Sequence, residues 1–145
     1  MTESELRALY MLMRERSHFV SALDFRLTER SHPPGLVRAD LALTLGELAG
    51  EGIEPLVTCT FEGVTGLRLR FGVGALNKLV HLGIEDVRDD GWEGVKYRIT
   101  EAENDAISLY CEDARIDFHV PRSAGPDSKQ STHQPRMQAS DETSA

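Results

Sequence analysis

The sequence is poor in basic residues and in cysteine, and both shortages limit the functions that the chain could have. Its 145 residues include 24 aspartates and glutamates but only 16 lysines and arginines, which gives a formal net charge of −8 and a pI near 5.1. Because phosphate repels a chain of that sign, this deficit argues against binding of nucleic acid or of an anionic membrane. The same charge suits association with a basic partner.

Cysteine occurs only at Cys59 and Cys111, and no apolar run approaches the roughly 20 residues that span a bilayer. The start, MTESELRALYMLMRERSHF, is interrupted by charges and lacks the apolar run and small-residue cleavage site of a signal peptide. We therefore expect a cytoplasmic protein without membrane association. Its two thiols are expected to stay free and to lie in the core, where a thiol remains protonated and unreactive.

The N-terminal region has the period of a helix. Apolar side chains recur at spacings of three, four and seven residues: Leu6, Leu9, Tyr10, Met13, Val20, Leu23 and Leu27. This pattern predicts a helical segment over residues 3–30, which Pro33, Pro34 and Gly35 end. Residues 36–55 fit two structures, because LALTL alternates like a strand while Asp40 could cap a short helix closed by Gly50.

From residue 56 onward, apolar and polar residues alternate as in strands with one buried face. Six such stretches follow one another: LVTCTF, GLRLRF, LVHLGIED, VKYRIT, AISLYC and ARIDFHV. We predict one α+β domain over residues 1–120, in which the N-terminal helix packs on a curved antiparallel sheet, small β-sandwich or meander of six to seven strands within residues 36–120. Residues 121–145 are rich in Pro, Gly, Ser, Thr and Gln and are predicted to form a disordered tail.

Acidic residues are concentrated in residues 85–117, where eleven carboxylates accompany four basic side chains. In an up-and-down meander the turns alternate between the two ends of the sheet, so most of these acids and Glu62 would meet at one end, opposite Glu101, Glu103 and Asp105. We call the predicted docking surface the acidic rim, and it consists of Asp86, Asp89, Asp90, Trp92, Glu93, Tyr110, Glu112 and Asp113. Trp92 and Tyr110 are its predicted anchors, since aromatic side chains often supply much of the affinity of a charged interface.

The sequence predicts no metal or cofactor site. EAENDAISLYCE places acids at calcium-loop positions 1, 3, 5 and 12, but Ala106 replaces the glycine that position 6 requires. His81 and Glu85 are four residues apart, or about 13 Å along a strand, too far to share one ion. FGVGALNK lacks the third glycine of a dinucleotide-binding loop, because Asn77 occupies that position.

Two other functional classes stay open beside a docking protein. No nucleophile motif is present, so we expect no enzymatic activity, but a small-ligand-binding or hydrolytic sheet protein using carboxylates or His119 is the alternative. Asp117 and His119 would share one face of a strand in that case. A structural or oligomeric role is the further alternative, in which an edge strand pairs with a second copy.

FEGVTGLRLRF and DGWEGVKYRITEAENDAISLYCEDARIDF resemble a pattern found in small bacterial proteins, some of them grouped with the immunity proteins of toxin systems. The shared pattern is an apolar strand ending in F-x-x-V-x-x-L, followed by hairpins that close on an aromatic-Cys strand, over residues 56–118. The resemblance implies no catalytic residues and favours a binding role. Our hypothesis is a non-enzymatic cytoplasmic protein whose acidic rim docks a basic protein, as an immunity-type inhibitor would.

Overall fold

The computed structural model describes residues 1–15, 18–30, 34–71, 77–79 and 81–120. Over these residues the chain forms one α-helix, nine strands and a short 3₁₀ turn. Their bounds are α1 Glu3–Glu15, β1 His18–Glu29, β2 Val37–Ala49, β3 Gly52–Glu62, β4 Thr65–Leu69, β5 Lys78–Leu79, β6 Leu82–Asp86, the 3₁₀ turn Arg88–Asp90, β7 Tyr97–Glu101, β8 Ile107–Cys111 and β9 Asp113–Phe118. The predicted disordered tail, residues 121–145, lies outside the described residues.

The strands form two antiparallel sheets, one with the order β5-β1-β2-β3-β9 and a smaller one with the order β4-β8-β7-β6. Side chains from both sheets are buried in a single core, so the sheets pack face to face. This confirms the predicted α+β fold with a helix and a curled antiparallel sheet, although the described residues form nine strands where six to seven were predicted. Among the described residues, no helix has the length and apolar content needed to cross a membrane.

Both cysteines belong to this core, as predicted. Cys59 pairs with Leu43 of β2, Cys111 lies on β8 next to β7, and both are free and fully buried. Burial raises the pKa of each thiol to about 12, and the nearby carboxylates Asp117 and Asp113 add to the effect for Cys59 and Cys111 respectively. At neutral pH both therefore act as small apolar side chains.

Helix α1 begins at a capping box and covers the free edge of the smaller sheet. The Glu5 amide donates to the Thr2 hydroxyl at 3.2 Å, and the Thr2 amide donates to the Glu5 carboxylate at 2.6 Å. Leu9 is fully buried, and Tyr10 reaches the edge strand β6. Its hydroxyl donates to the Ile84 carbonyl at 3.2 Å and accepts from the Ile84 amide at 3.1 Å, so α1 satisfies backbone groups that β6 leaves open.

The prediction of a helix over residues 3–30 is wrong for residues 18–29. Residues 18–29 form β1, in which Leu23 lies opposite Leu43 and Leu27 opposite Ala39 of β2. Residues four apart share a face in a strand as well as in a helix, so the apolar spacing alone did not separate the two structures. The ambiguous residues 36–55 are strands, because they supply β2 and the start of β3.

The strand order differs from an uninterrupted meander. β6, β7 and β8 are sequential neighbours, but β4 pairs with β8, and β9 returns to β3 in the larger sheet. The stretch LVHLGIED is divided between β5 in one sheet and β6 in the other. Alternation along each strand predicts which face is buried, but it carries no information about which strands become neighbours.

At the end of the sandwich opposite the acidic rim, Glu101 organises the turn between β7 and β8. Its side chain is buried and accepts hydrogen bonds from three backbone amides, those of Asn104 at 2.8 Å, Ala106 at 3.2 Å and Glu103 at 3.4 Å. Glu103 itself is exposed in the same turn. A carboxylate at position 101 therefore replaces the backbone partners that a tight turn cannot supply.

We predict that Glu101→Ala lowers the free energy of unfolding by about 2–3 kcal/mol, because it leaves these amides without their acceptor. Glu103→Ala is the matched control and should change the stability by no more than about 0.5 kcal/mol. Urea unfolding followed by circular dichroism measures both. Equal midpoints for the two variants would show that the turn does not depend on Glu101.

Candidate functional site

Two chain crossings between the sheets lie side by side at one end of the sandwich. The first, at Gly63 and Val64, joins β3 to β4, and the second, at Glu112, joins β8 to β9. The Glu112 amide donates to the Glu62 carbonyl at 2.8 Å. Gly63 has a φ of 62°, a conformation that is strained for residues with a side chain, and a Cβ at this position would displace the Glu112 side chain, so glycine favours the close approach of the two crossings.

The segment between β6 and β7 lies at the same end of the sandwich. The Lys96 amide donates to the Cys111 carbonyl at 2.9 Å, which ties this segment to the end of β8. Residues Arg88–Asp90 form a 3₁₀ turn that ends at Gly91, which has a φ of 76°. Every residue from 88 to 94 is exposed, so the segment presents its side chains to solvent.

The two predicted anchors are in contact with each other. The rings of Trp92 and Tyr110 have centroids 4.7 Å apart and planes tilted by 44°. Trp92 is 52% exposed, and Tyr110 is partly buried on β8. An exposed aromatic pair whose members hold each other in place is the kind of rigid apolar feature that commonly anchors a protein interface.

Two arginines lie among the acids at the crossings, and the local sequence pattern did not predict them there. Arg30 forms an ion pair with Glu112, and Arg38 contacts Glu62 at 3.0 Å and Asp40 at 2.8 Å. Both arginines lie near the tip of the β1–β2 hairpin, which reaches the acidic rim only because β1 is a strand. Part of the expected negative charge near the crossings is therefore balanced within the molecule. A shallow groove of about 430 Å³ lies beside these ion pairs. It is lined by Arg30, Arg38, Glu62, Gly94, Lys96, Glu112 and Asp113.

The remaining acids of the rim divide into paired and unpaired groups. Asp86 binds Arg88, whose Nε lies 2.9 Å from each carboxylate oxygen, and this contact holds the pKa of Asp86 below its usual value. Within the described part of the chain, Asp89, Asp90, Glu93 and Asp113 make no ion pair, and the first three lie in the exposed stretch 88–94. The uncompensated charge of the acidic rim is thus centred on the exposed segment that carries Trp92.

His119, the candidate of the alternative function, lies on the outer face of the larger sheet. Its Nε2 is 2.7 Å from the Thr58 hydroxyl, which in turn contacts Thr44 at 2.9 Å. Asp117 pairs with Arg115 at 3.2 Å, so its carboxylate is engaged by a neighbour other than His119. Across the described ranges of the chain, no group of three or more His, Cys, Asp or Glu side chains is arranged to hold a metal ion.

Asp40 links the hairpin to the first crossing. Its Oδ1 accepts from Arg38 at 2.8 Å and from the Gly63 amide at 2.9 Å. Burial alone would raise the pKa of Asp40, but these two hydrogen bonds and the charges of Arg38 and Arg30 outweigh it and hold the pKa below the ordinary value of 3.8. The ionised form of this carboxylate therefore stabilises the folded state.

We predict that Asp40→Asn lowers the free energy of unfolding by about 1–2 kcal/mol at pH 7. Because the folded-state pKa is lowered, the stabilisation is complete above the unfolded-state pKa and is lost as the pH falls from about 3.8 through the native value. The difference between wild type and variant should accordingly shrink in strong acid. Denaturant unfolding between pH 7 and pH 2 measures it.

Asp117→Asn is the control, since its ion pair with Arg115 is exposed and should contribute less than about 0.5 kcal/mol at any pH. A gap between wild type and Asp40→Asn that stays constant down to pH 2 would contradict the role assigned to the ionised carboxylate.

A family model described as Immunity protein PIM8 matches residues 1–117. The match begins before α1 and extends into β9, so it includes the hairpin, both crossings and every residue of the acidic rim. It confirms the resemblance inferred from residues 56–118 and extends it to the N-terminus. No curated protein and no solved structure has a significant match to the chain.

Proposed function

Since the chain belongs to the PIM8 family of immunity proteins, we propose that its acidic rim binds a toxin through a basic surface of that toxin. Family membership implies an immunity-type inhibitor with a toxin as its partner. In our proposal, the toxin contacts the acidic rim through a basic surface, and the inhibitor acts in the cytoplasm by binding alone. It has no catalytic activity and binds neither nucleic acid nor a membrane. Such an inhibitor acts by covering or distorting a surface that its target needs.

The observation that carries this proposal is the combination of charge and apolar surface on one exposed segment. Asp89, Asp90 and Glu93 are exposed within three residues of Trp92, and Trp92 contacts Tyr110. Uncompensated charge increases the rate of encounter with an oppositely charged partner, by about 10- to 1,000-fold in strongly steered pairs. Buried aromatic anchors then slow dissociation, so the two kinds of residue contribute to different steps.

The ion-paired acids have a different role in this proposal. Glu112 and Glu62 are held by Arg30 and Arg38, and a partner cation would have to replace an existing partner to bind them. Such an exchange yields little net energy, because one charge-assisted contact is lost for each one gained. They shape the groove behind the exposed segment, and the steering charge comes from residues 89–93.

We predict that Asp89→Lys with Asp90→Lys slows association with the toxin by roughly tenfold or more at low salt and flattens the dependence of the association rate on salt. The toxin is first captured from the source cell at low ionic strength and identified by mass spectrometry. Surface plasmon resonance at several salt concentrations then measures the rates.

The matched control is Glu51→Lys with Glu103→Lys, which reverses two exposed acids at the other end of the sandwich. Each double variant raises the formal net charge by four units, from −8 to −4. If both double variants slow association equally, net charge alone steers the partner. If neither does, the docking surface lies elsewhere.

A separate test concerns the anchor. Trp92→Ala should cost about 2 kcal/mol of binding free energy, expressed mainly as faster dissociation, because it removes an aromatic side chain from the centre of the contact. Its stability in urea should change far less than that of a core variant, since Trp92 is half exposed. An unchanged dissociation rate would remove Trp92 from the interface.

A further inference from the structure

β1 carries an apolar row that the described part of the chain leaves uncovered. Leu23, Phe25 and Leu27 are 37%, 46% and 66% exposed. Leu23 and Phe25 nevertheless lie opposite Leu43 and Leu41, which are fully buried on the core face of β2. The row is thus an extension of the core face past the region that the smaller sheet covers. Apolar side chains on such a face are typical of a contact surface.

Within the described ranges, the backbone edge beside this row is open as well. Among the described residues, β5 pairs only with His18 and Phe19, and a bulge between Val20 and Ala22 follows directly. Beyond the bulge, β1 has β2 on one side and no described strand on the other. A long open edge with apolar side chains is a template for pairing with another strand.

The hydrogen-bond pattern shows which backbone groups this edge offers. The Arg30 amide donates to the Leu36 carbonyl at 2.7 Å, so the even-numbered residues of β1 after the bulge bond to β2. In an antiparallel ladder the alternate residues direct their amides and carbonyls to the opposite side. The outward-facing groups are therefore those of Leu23, Phe25 and Leu27, the same residues that carry the apolar row.

We propose that the edge of β1 binds a second copy of this chain, with the two β1 strands antiparallel and a two-fold axis at Phe25. The sequence Leu23-Asp24-Phe25-Arg26-Leu27 is complementary to itself in this arrangement. Phe25 lies opposite Phe25 of the second copy, and Leu23 lies opposite Leu27. Asp24 lies opposite Arg26 on the other face, so both faces of the new strand pair are matched in chemistry.

Charge and hydrogen bonding agree on this register. Asp24 and Arg26 already form an exposed ion pair within one copy at 2.7 Å, and pairing of two copies sets two acids and two bases in alternation. The pairs centred on Phe25 are the ones whose amides and carbonyls face outward, and each such pair exchanges two backbone hydrogen bonds. The two five-stranded sheets join into one, and a two-fold contact closes without leading to a filament.

The composition of residues 121–145 argues against this tail as the occupant of the edge. The segment contains three prolines and no Leu, Ile, Phe, Tyr or Trp, so it cannot match the apolar row. The dimer proposal concerns β1 and does not depend on the toxin contact, which involves residues 86–113.

The test uses charge reversal on the full chain, with the dissociation constant of the dimer measured by sedimentation at several concentrations. Asp24→Arg and Arg26→Asp each place like charges opposite one another and should weaken the dimer by roughly tenfold or more. An equimolar mixture of the two single variants should form heterodimers of about wild-type affinity. In such a heterodimer, positions 24 and 26 are both basic in one chain and both acidic in the other, so every facing pair is again of opposite charge.

The mixing experiment distinguishes loss of the contact between copies from loss of the Asp24–Arg26 ion pair within one copy, since mixing two variants cannot restore an intramolecular ion pair. Arg7→Asp is the matched control, since the side chain of Arg7 is 77% exposed and that of Arg26 is 76% exposed. Arg7 lies on α1 and takes no part in the proposed strand pair, so this variant should leave the dissociation constant unchanged. Wild-type protein that stays monomeric up to several hundred micromolar would overturn the proposal. So would a mixture that associates no better than either variant alone, or a dimer that Arg7→Asp weakens as much as Arg26→Asp.

Discussion

The close contact between the two crossings is the constraint on which one end of the molecule depends. Gly63 lets the chain leave β3 in a left-handed conformation with no Cβ, and the Glu112 side chain occupies the space that a larger residue would fill. The backbone hydrogen bond from the Glu112 amide to the Glu62 carbonyl then holds the two crossings together. Past the second crossing, β9 pairs with β3, and the acids at positions 62, 112 and 113 share a groove with the β1–β2 hairpin.

That contact also determines how the charge of the rim is distributed. The hairpin carries Arg30 and Arg38 to the crossings, where they balance Glu112 and Glu62, and Asp40 stays ionised because Arg38 and the Gly63 amide hold its carboxylate. A formal count of acids therefore overestimates the field that a partner meets. Three acids without an ion pair among the described residues, Asp89, Asp90 and Glu93, lie on the segment between β6 and β7.

The alternation of apolar residues predicted most of the strands and the burial of both cysteines. It failed where a spacing fits two structures, as for Leu23 and Leu27, and where long-range pairing decides the order, as for β4 and β9. The misassigned helix had a direct consequence for the site. A helix over residues 18–29 would keep Arg30 away from Glu112, so the balancing cations could not be foreseen from local pattern. The sequence predicted Trp92 and Tyr110 as anchors, but the contact between them depends on the pairing of β7 with β8, which the local pattern does not show.

The exposed row on β1 follows from the same architecture. β1 is 12 residues long, and its core face continues past the region that the smaller sheet covers, while β5, with only two residues, pairs with just the start of β1. A shorter β1 would remove the uncovered apolar area, but it would also shorten the hairpin that delivers Arg30 and Arg38 to the crossings. The length of β1 therefore has two consequences. A long β1 carries the hairpin arginines to the rim, where they balance acids, and it also exposes Leu23, Phe25 and Leu27 along an edge that no described strand covers. A self-complementary sequence at that edge gives the exposed row one defined contact in place of many indiscriminate ones.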